Sequence, residues 1–290
     1  MKGTDMDNPA RFNTEAKPTW CPGCGNFGIQ NALKKALCAL DLQPHEVVIS
    51  SGIGCSGKIP HWIKAYGFHG LHGRTLPVAA GAKLANHKLV TIAAGGDGDG
   101  YSEGMGHFVH ACRRNVDITY LVHNNGVYGL TTGQVSPTGE RGFVSSTTPH
   151  GVLEWPLHPL ALAISAGATF VARGFSGDLE RLGKLIAEGI RHPGFSFIDV
   201  LQVCVSFNPS KSFKWYQERA YNLEDEGHDP TDRIKALEMV FRNDGRLPTG
   251  LFYRGSAPTH EEGLPQLSAE PLAVQDITNI DVTQLMEELV

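Results

Sequence analysis

A chain of 290 residues, 41% hydrophobic and 19% charged, has the composition of a folded globular protein with a sizeable core, which excludes a disordered segment, a collagen-like repeat and a disulfide-stapled miniprotein. With 25 Lys and Arg against 30 Asp and Glu, the net charge of −5 offers no electrostatic case for binding nucleic acid. The most apolar stretch, residues 157–172, is broken by His158, Pro159, Ser165 and Gly167 and is too short for a membrane span, and no apolar signal core precedes Pro18. A cytoplasmic protein is expected, its six cysteines thiols or metal ligands rather than disulfides.

In chain order, residues 1–19 form an N-terminal extension, followed by the tight Trp20-Cys21-Pro22-Gly23-Cys24-Gly25 turn. Asn26 reads as the N-cap of a helix whose Phe27, Leu33, Leu37 and Leu40 recur at helical spacing. Strands are then predicted at 46–50, 88–94, 117–123, 168–172 and 195–203, and helices at 76–86, 102–114, 158–167 and 177–191. This alternation predicts an α/β fold, a mainly parallel sheet with helices on both faces, over residues 20–208. After Asn208 the rhythm stops, leaving one helix at 232–242, and residues 209–290 read as a C-terminal arm. Phe213, Trp215, Tyr216, Leu251, Phe252 and Tyr253 find too little local core there, and are expected to lie across the sheet domain or a partner chain.

Gly52-Ile53-Gly54-Cys55-Ser56-Gly57 formally matches a dinucleotide fingerprint, but no Asp or Glu occurs from Val47 to Gly96 to hold a ribose hydroxyl, which disfavours NAD. That segment instead carries Lys58, Lys64, Arg74, Lys83 and Lys88, suited to an anionic ligand. Gly95-Gly96-Asp97-Gly98-Asp99-Gly100 closes one predicted strand, and Asn124-Asn125-Gly126 closes the next. The 28-residue interval from Asp97 to Asn125 accommodates a crossover helix and a strand, so both side chains reach the carboxyl edge where α/β proteins bind ligands. A carboxylate and an amide oxygen are hard donors suited to Mg²⁺, and the glycines let backbone amides approach a diphosphate. The loop lacks the oxygen donor at Tyr101 that a calcium EF-hand requires.

Cys21 and Cys24 can reach one metal centre, with Cys55 in the glycine-rich loop and Cys204 after the last strand at the same sheet edge. Four such thiols fit a structural zinc or an iron–sulfur cluster. Zinc usually takes paired C-x-x-C units, whereas Cys55 and Cys204 are 149 residues apart, which favours the cluster. Cys38 and Cys112 fall on apolar helix faces as ordinary buried thiols.

Gly-Asp-Gly followed by Asn-Asn resembles the thiamine diphosphate motif. The resemblance implies that Asp97, Asn125 and the Val127 carbonyl hold Mg²⁺. With Cys-Pro-Gly-Cys-Gly, Gly-Ile-Gly-Cys-Ser-Gly-Lys, His-Gly-Leu-His-Gly-Arg and Asn-Asn-Gly-Val-Tyr-Gly-Leu-Thr, the chain from Trp20 to Val205 resembles the β subunit of a two-subunit 2-oxoacid:ferredoxin oxidoreductase. Membership implies that Cys21, Cys24, Cys55 and Cys204 ligate one 4Fe-4S cluster, and that Ile53, Gly54, Cys55, Ser56, Gly98, Asp99, Gly129 and Leu130 line the thiamine diphosphate. It further implies oxidative, reversible decarboxylation of a 2-oxoacid with coenzyme A, releasing CO₂ and passing electrons to ferredoxin. Here 2-oxoglutarate, giving succinyl-CoA, is expected, with pyruvate or broad specificity as the alternative. An α subunit would complete an αβ or (αβ)₂ assembly and supply the catalytic glutamate, so the chain alone is expected to be inactive. Lys58 is the candidate for a substrate carboxylate, and Leu130 for the substrate pocket. His72 and Arg74 would hold their loop or face the partner. A competing reading from another class is a cluster-carrying electron-transfer subunit without a working thiamine site.

Overall fold

The computed structural model describes residues 8–242, 244–268, 270–276, 278 and 280–289; the first seven residues of the expected N-terminal extension lie outside the described residues. The chain runs through α1 (Asn26–Ala39), β1 (Val47–Ser51), β2 (Tyr66–His69), α2 (Thr75–Ala85), β3 (Val90–Gly96), α3 (Met105–Arg114) and β4 (Thr119–Asn124). A small hairpin, β5 (Val127–Tyr128) with β6 (Gln134–Val135), precedes α4 (Pro159–Ser165), β7 (Phe170–Phe175), α5 (Leu179–Arg191) and β8 (Ser196–Leu201). There follow α6 (Phe213–Gln217), β9 (Ala220–Asn222), α7 (Arg233–Phe241), β10 (Leu247–Arg254) and α8 (Thr283–Glu287). One sheet has the order β2-β1-β3-β4-β8-β7-β10-β9 and is parallel at every junction except β7 with β10.

Every residue of β1 and β8 is buried, as a sheet covered on both faces requires. Ile29, Leu33 and Leu37 of α1 and Leu182 and Ile186 of α5 pack on Ile49, Ile92, Leu121 and Ile198 on one face. Leu76 of α2, Phe108 of α3, Leu160 of α4 and Ala236 of α7 pack with Tyr120, Phe197 and Phe252 on the other. α1 approaches the β7–α5 connection so closely that a Cβ at Gly28 would collide with the Ser176 carbonyl.

Three local expectations change. Asn26 is the first residue of α1, not its cap; Gly25 precedes it and the Asn26 side chain is engaged elsewhere. The helix expected at 102–114 starts as one π turn, Asp99–Glu103, before α3. The sheet also extends beyond the expected strands at both edges. β2, a four-residue edge strand exposed at every position, carries no alternation to betray it. β10 is masked by Pro248, by Gly250 at φ +104° and by a register shift between Leu251 and Tyr253. Its pairing with β7 brings Leu251, Phe252 and Tyr253, residues of the expected arm, into the core of the sheet domain.

Candidate functional site

The parallel register delivers four loops side by side. Ser51 pairs with Ala94, Gly96 with His123 and Asn124 with Leu201, so the segments leaving β1, β3, β4 and β8 emerge at one edge. There Asp97, Asn125, Val127, Ile53, Gly54, Cys55, Ser56, Gly98, Asp99, Gly129 and Leu130 all line a single cavity. The structure thus brings together every residue expected around the diphosphate and its metal.

Asp97 is buried, and its Oδ2 accepts hydrogen bonds from Gly126 N–H at 2.9 Å, Thr138 Oγ1 at 2.8 Å and Ser136 Oγ. Desolvation raises its pKa, while those three donors oppose the rise. Asn125 Oδ1 accepts from Val127 N–H at 2.9 Å, which fixes the amide orientation, and its backbone carbonyl accepts from Asn208 Nδ2 at 2.9 Å. Asp99 has different work. Its Oδ1 accepts from Ile53 N–H at 3.0 Å and Gly73 N–H at 2.8 Å, and its Oδ2 accepts from Thr75 Oγ1 at 3.0 Å. One carboxylate thereby ties the β1 loop to the start of α2. His72 Nδ1 stands beside this brace, 3.2 Å from Asp99 and 3.1 Å from Glu103, but without an aligned hydrogen bond to either. A Cβ at Gly98 would enter the Tyr128 ring, so this turn admits only glycine without displacing an aromatic wall.

Cys21, Cys24, Cys55 and Cys204 line an adjoining cavity, and the two share Cys55, Asn125, Gly129, Leu130 and Gln202. The N-terminal turn is pinned there from two sides. Gly25 N–H donates to the Val203 carbonyl at 3.0 Å, and Trp20 Nε1 donates to the Cys55 carbonyl at 2.7 Å. A Cβ on Gly129 would stand 3.6 Å from Cys55 Sγ and 3.7 Å from Cys204 Sγ. Burial, reinforced by the neighbouring thiols, pushes Cys24 up to about 11; burial likewise raises Cys55, with Lys58 opposing. Among the described residues, no three His, Cys, Asp or Glu side chains converge on a single metal-ion position. The four thiols share the lining of one cavity. Cys38 and Cys112 are buried in helices. Lys58 lines the thiol cavity rather than the first one, with Nζ 3.4 Å from Thr19 Oγ1. Leu130 lines both and is half exposed.

Sequence reasoning missed Asn26, His123 and Gln202, which complete the first cavity. Asn26 Oδ1 and His123 Nδ1 are 2.8 Å apart, while Asn26 Nδ2 and His123 Nε2 are buried without a partner, leaving polar capacity for a bound ligand. No motif marks a histidine in the last turn of a buried strand. Desolvation pushes His123 down to about 3. The unfolded histidine takes a proton near pH 6.5 and the folded one does not, so stability should fall with pH below that value, by up to about 1.4 kcal/mol per unit. His123→Gln is expected to flatten this acid limb, read as urea midpoints at pH 6.5 and 5; parallel pH dependences for variant and parent would contradict it.

Residues 52–200 match the family described as thiamine pyrophosphate enzyme, C-terminal TPP binding domain, so fold and site together define a thiamine-diphosphate-binding enzyme domain. Residues 204–269 match the family for the C-terminal part of the pyruvate ferredoxin oxidoreductase beta chain. The chain is 47% identical over 262 residues to the 2-oxoacid:ferredoxin oxidoreductase subunit beta of Saccharolobus solfataricus, covering 86% of each. It is 37% identical to the 2-oxoglutarate synthase subunit KorB of Methanocaldococcus jannaschii, covering 86% of this chain and 92% of that one. It is also similar to 2-oxoglutarate:ferredoxin oxidoreductase from Magnetococcus marinus, solved with 2-oxoglutarate, coenzyme A and succinyl-CoA bound, at a TM-score of 0.90 and 37% identity over 99% of this chain and 98% of that one. The chain belongs to the β subunits of the 2-oxoacid:ferredoxin oxidoreductases. Among the described residues no helix is long and apolar enough to cross a membrane.

Proposed function

We propose that this chain, paired with an α subunit in the cytoplasm, oxidatively decarboxylates 2-oxoglutarate with coenzyme A, yielding succinyl-CoA and CO₂ and sending electrons through one 4Fe-4S cluster to ferredoxin. The observation that carries the reading is the wall shared by the two cavities, which sets a thiol-lined space directly beside the diphosphate site. The names of the Methanocaldococcus and Magnetococcus relatives support 2-oxoglutarate over pyruvate.

The residues fit the groups this reading requires. Asp97, Asn125 and the Val127 carbonyl would hold Mg²⁺: the hydrogen bonds from Gly126, Ser136 and Thr138 all reach Asp97 Oδ2, and none of the three reaches Oδ1. The four cysteines line one cavity and fit a cluster better than zinc, since zinc usually takes paired C-x-x-C units and Cys55 and Cys204 are 149 residues apart. Bound thiamine diphosphate supplies the electron sink for loss of CO₂ from the oxoacid. Ile53 to Ser56, Gly98, Asp99, Gly129 and Leu130 orient the cofactor, and Cys55, common to both cavities, puts the electron outlet next to it. Of the two carboxylates lining the cofactor cavity, Asp97 is assigned to Mg²⁺ and Asp99 is hydrogen-bonded through both oxygens to Ile53, Gly73 and Thr75, which supports a requirement for the partner's glutamate. Exposed Tyr66, Phe68 and Leu71 offer apolar surface on the edge strand and its following loop for that partner.

The enzyme co-purified anaerobically with its α subunit is expected to reduce ferredoxin only when 2-oxoglutarate and coenzyme A are both present. Turnover by the isolated chain, or preference for pyruvate, would overturn the corresponding part of the reading. Lys58, which stands on the thiol side of the wall shared with the cofactor cavity and has no carboxylate in its own segment to neutralise it, is proposed to pair across that wall with the distal carboxylate of the oxoacid. Lys58→Ala should lower kcat/KM for 2-oxoglutarate by one to two decades, since a charged hydrogen bond contributes about 1.5–3 kcal/mol. Iron content should be unchanged, and any residual pyruvate turnover, lacking a distal carboxylate, should be spared. Trimming Leu130 should alter the ratio of the two substrates instead.

A further inference from the structure

We propose that Gln202 is a positioning residue that couples the cofactor site to the cysteine site through one amide. It lies immediately after β8 and is 2% exposed. Its Oε1 accepts from Asn125 Nδ2 at 2.5 Å, and its Nε2 donates to Cys24 Sγ at 3.4 Å and to the Val203 carbonyl at 2.6 Å. Backbone groups fix the polarity at both ends. The Val127 N–H requires the Asn125 oxygen on its side, which turns Asn125 Nδ2 toward Gln202. The Val203 carbonyl accepts only, so Gln202 must present its NH₂ there and therefore to Cys24. The relay has one direction, from Val127 to Cys24, and no alternative flip satisfies both ends.

The two halves of this amide do different things. Accepting from Asn125 Nδ2 holds the Asn125 oxygen toward the position proposed for Mg²⁺, the kind of outer contact whose loss typically costs 10–100-fold in metal affinity. Donating to Cys24 Sγ withdraws charge from that sulfur, and hydrogen bonds to cysteine sulfurs are among the factors that set cluster potentials. A donor stabilises the more electron-rich reduced state, so it raises the potential. The ability of the cluster to take electrons is thereby tied to the group that orders the cofactor. No other residue shared by the two cavities is hydrogen-bonded to both an expected Mg²⁺ ligand and an expected cluster ligand.

This inference rests on the proposed cofactor and cluster assignments, and the test separates the two. In the αβ enzyme, Mg²⁺-dependent thiamine diphosphate affinity is measured by calorimetry, and the cluster potential by a redox titration followed by electron paramagnetic resonance, for parent, Gln202→Glu and Gln202→Leu. Glutamate keeps an acceptor for Asn125 but cannot serve Val203 and Cys24 together; leucine does neither. Gln202→Glu is expected to bind the cofactor within about threefold of the parent while its cluster potential becomes more negative. Gln202→Leu should show a more negative potential together with at least tenfold weaker cofactor binding. Unchanged potentials in intact clusters would overturn the coupling, as would parallel loss of affinity and cluster in both variants, the mark of a merely structural glutamine. A parent enzyme lacking a cluster or Mg²⁺-dependent binding would overturn the underlying assignments instead.

Discussion

Asp97→Ala is expected to abolish Mg²⁺-dependent binding of thiamine diphosphate to the assembled enzyme, weakening it more than about a hundredfold. The metal would lose its one charged ligand from this chain while the diphosphate keeps its negative charge. Asp97→Asn distinguishes loss of binding from loss of fold. Burial raises the Asp97 pKa, so its ionised form at neutral pH costs the empty protein stability, a cost absent below the ordinary carboxylate range and complete above the raised value. Asparagine removes that charge at nearly constant volume. The variant should therefore unfold no more easily than the parent in the absence of ligand, yet gain no thermal stability when Mg²⁺ and cofactor are added. Undiminished affinity in a calorimetric titration would show that the acidic strand end serves another purpose.

Replacement of Cys24 by Ala should reduce the iron and labile sulfide of anaerobically purified protein from about four of each per chain to near zero. Cys21→Ala, Cys55→Ala and Cys204→Ala should behave alike. Cys38→Ala should retain the full complement, because that residue is buried in α1 within the core and does not line the thiol cavity. Stoichiometric zinc without sulfide in the parent would refute the cluster assignment. The control matters since five of the six cysteines are at least partly protected from solvent and only Cys21 is exposed.

Legibility in the sequence follows from distance along the chain. Asp97 and Asn125 sit at the ends of adjacent parallel strands joined by one crossover, so their spacing alone predicts that they meet. The buried strands betray themselves by continuous β-branched and apolar runs, as in Val47-Val48-Ile49. What the sequence conceals depends on three-dimensional closure. Gln202 is an ordinary polar residue in sequence and acquires meaning only because Cys24 and Asn125 arrive on either side of its amide. Asn26 has the chemistry of a cap, but His123 on a neighbouring strand claims its oxygen. Lys58 is legible as an unneutralised cation, but the turn after Cys55, Ser56–His61, carries it to the thiol side of the shared wall. Asp99, expected only as cofactor lining, turns out to be the brace of two loops, a role that needs the β1 loop and α2 to converge on it.

Cys21 and Cys204 line one cavity although they lie 183 positions apart along the chain. Ligated to one inorganic core as proposed, they close a loop that contains β1 through β8. A crosslink over that span restricts the unfolded chain much as a disulfide does, by about 5 kcal/mol on the chain-entropy estimate. That is comparable with the entire stability of an ordinary domain. Oxidative destruction of the core would then do more than interrupt electron flow: it would cut a long-range tie in the polypeptide and expose the damaged subunit to unfolding and proteolysis.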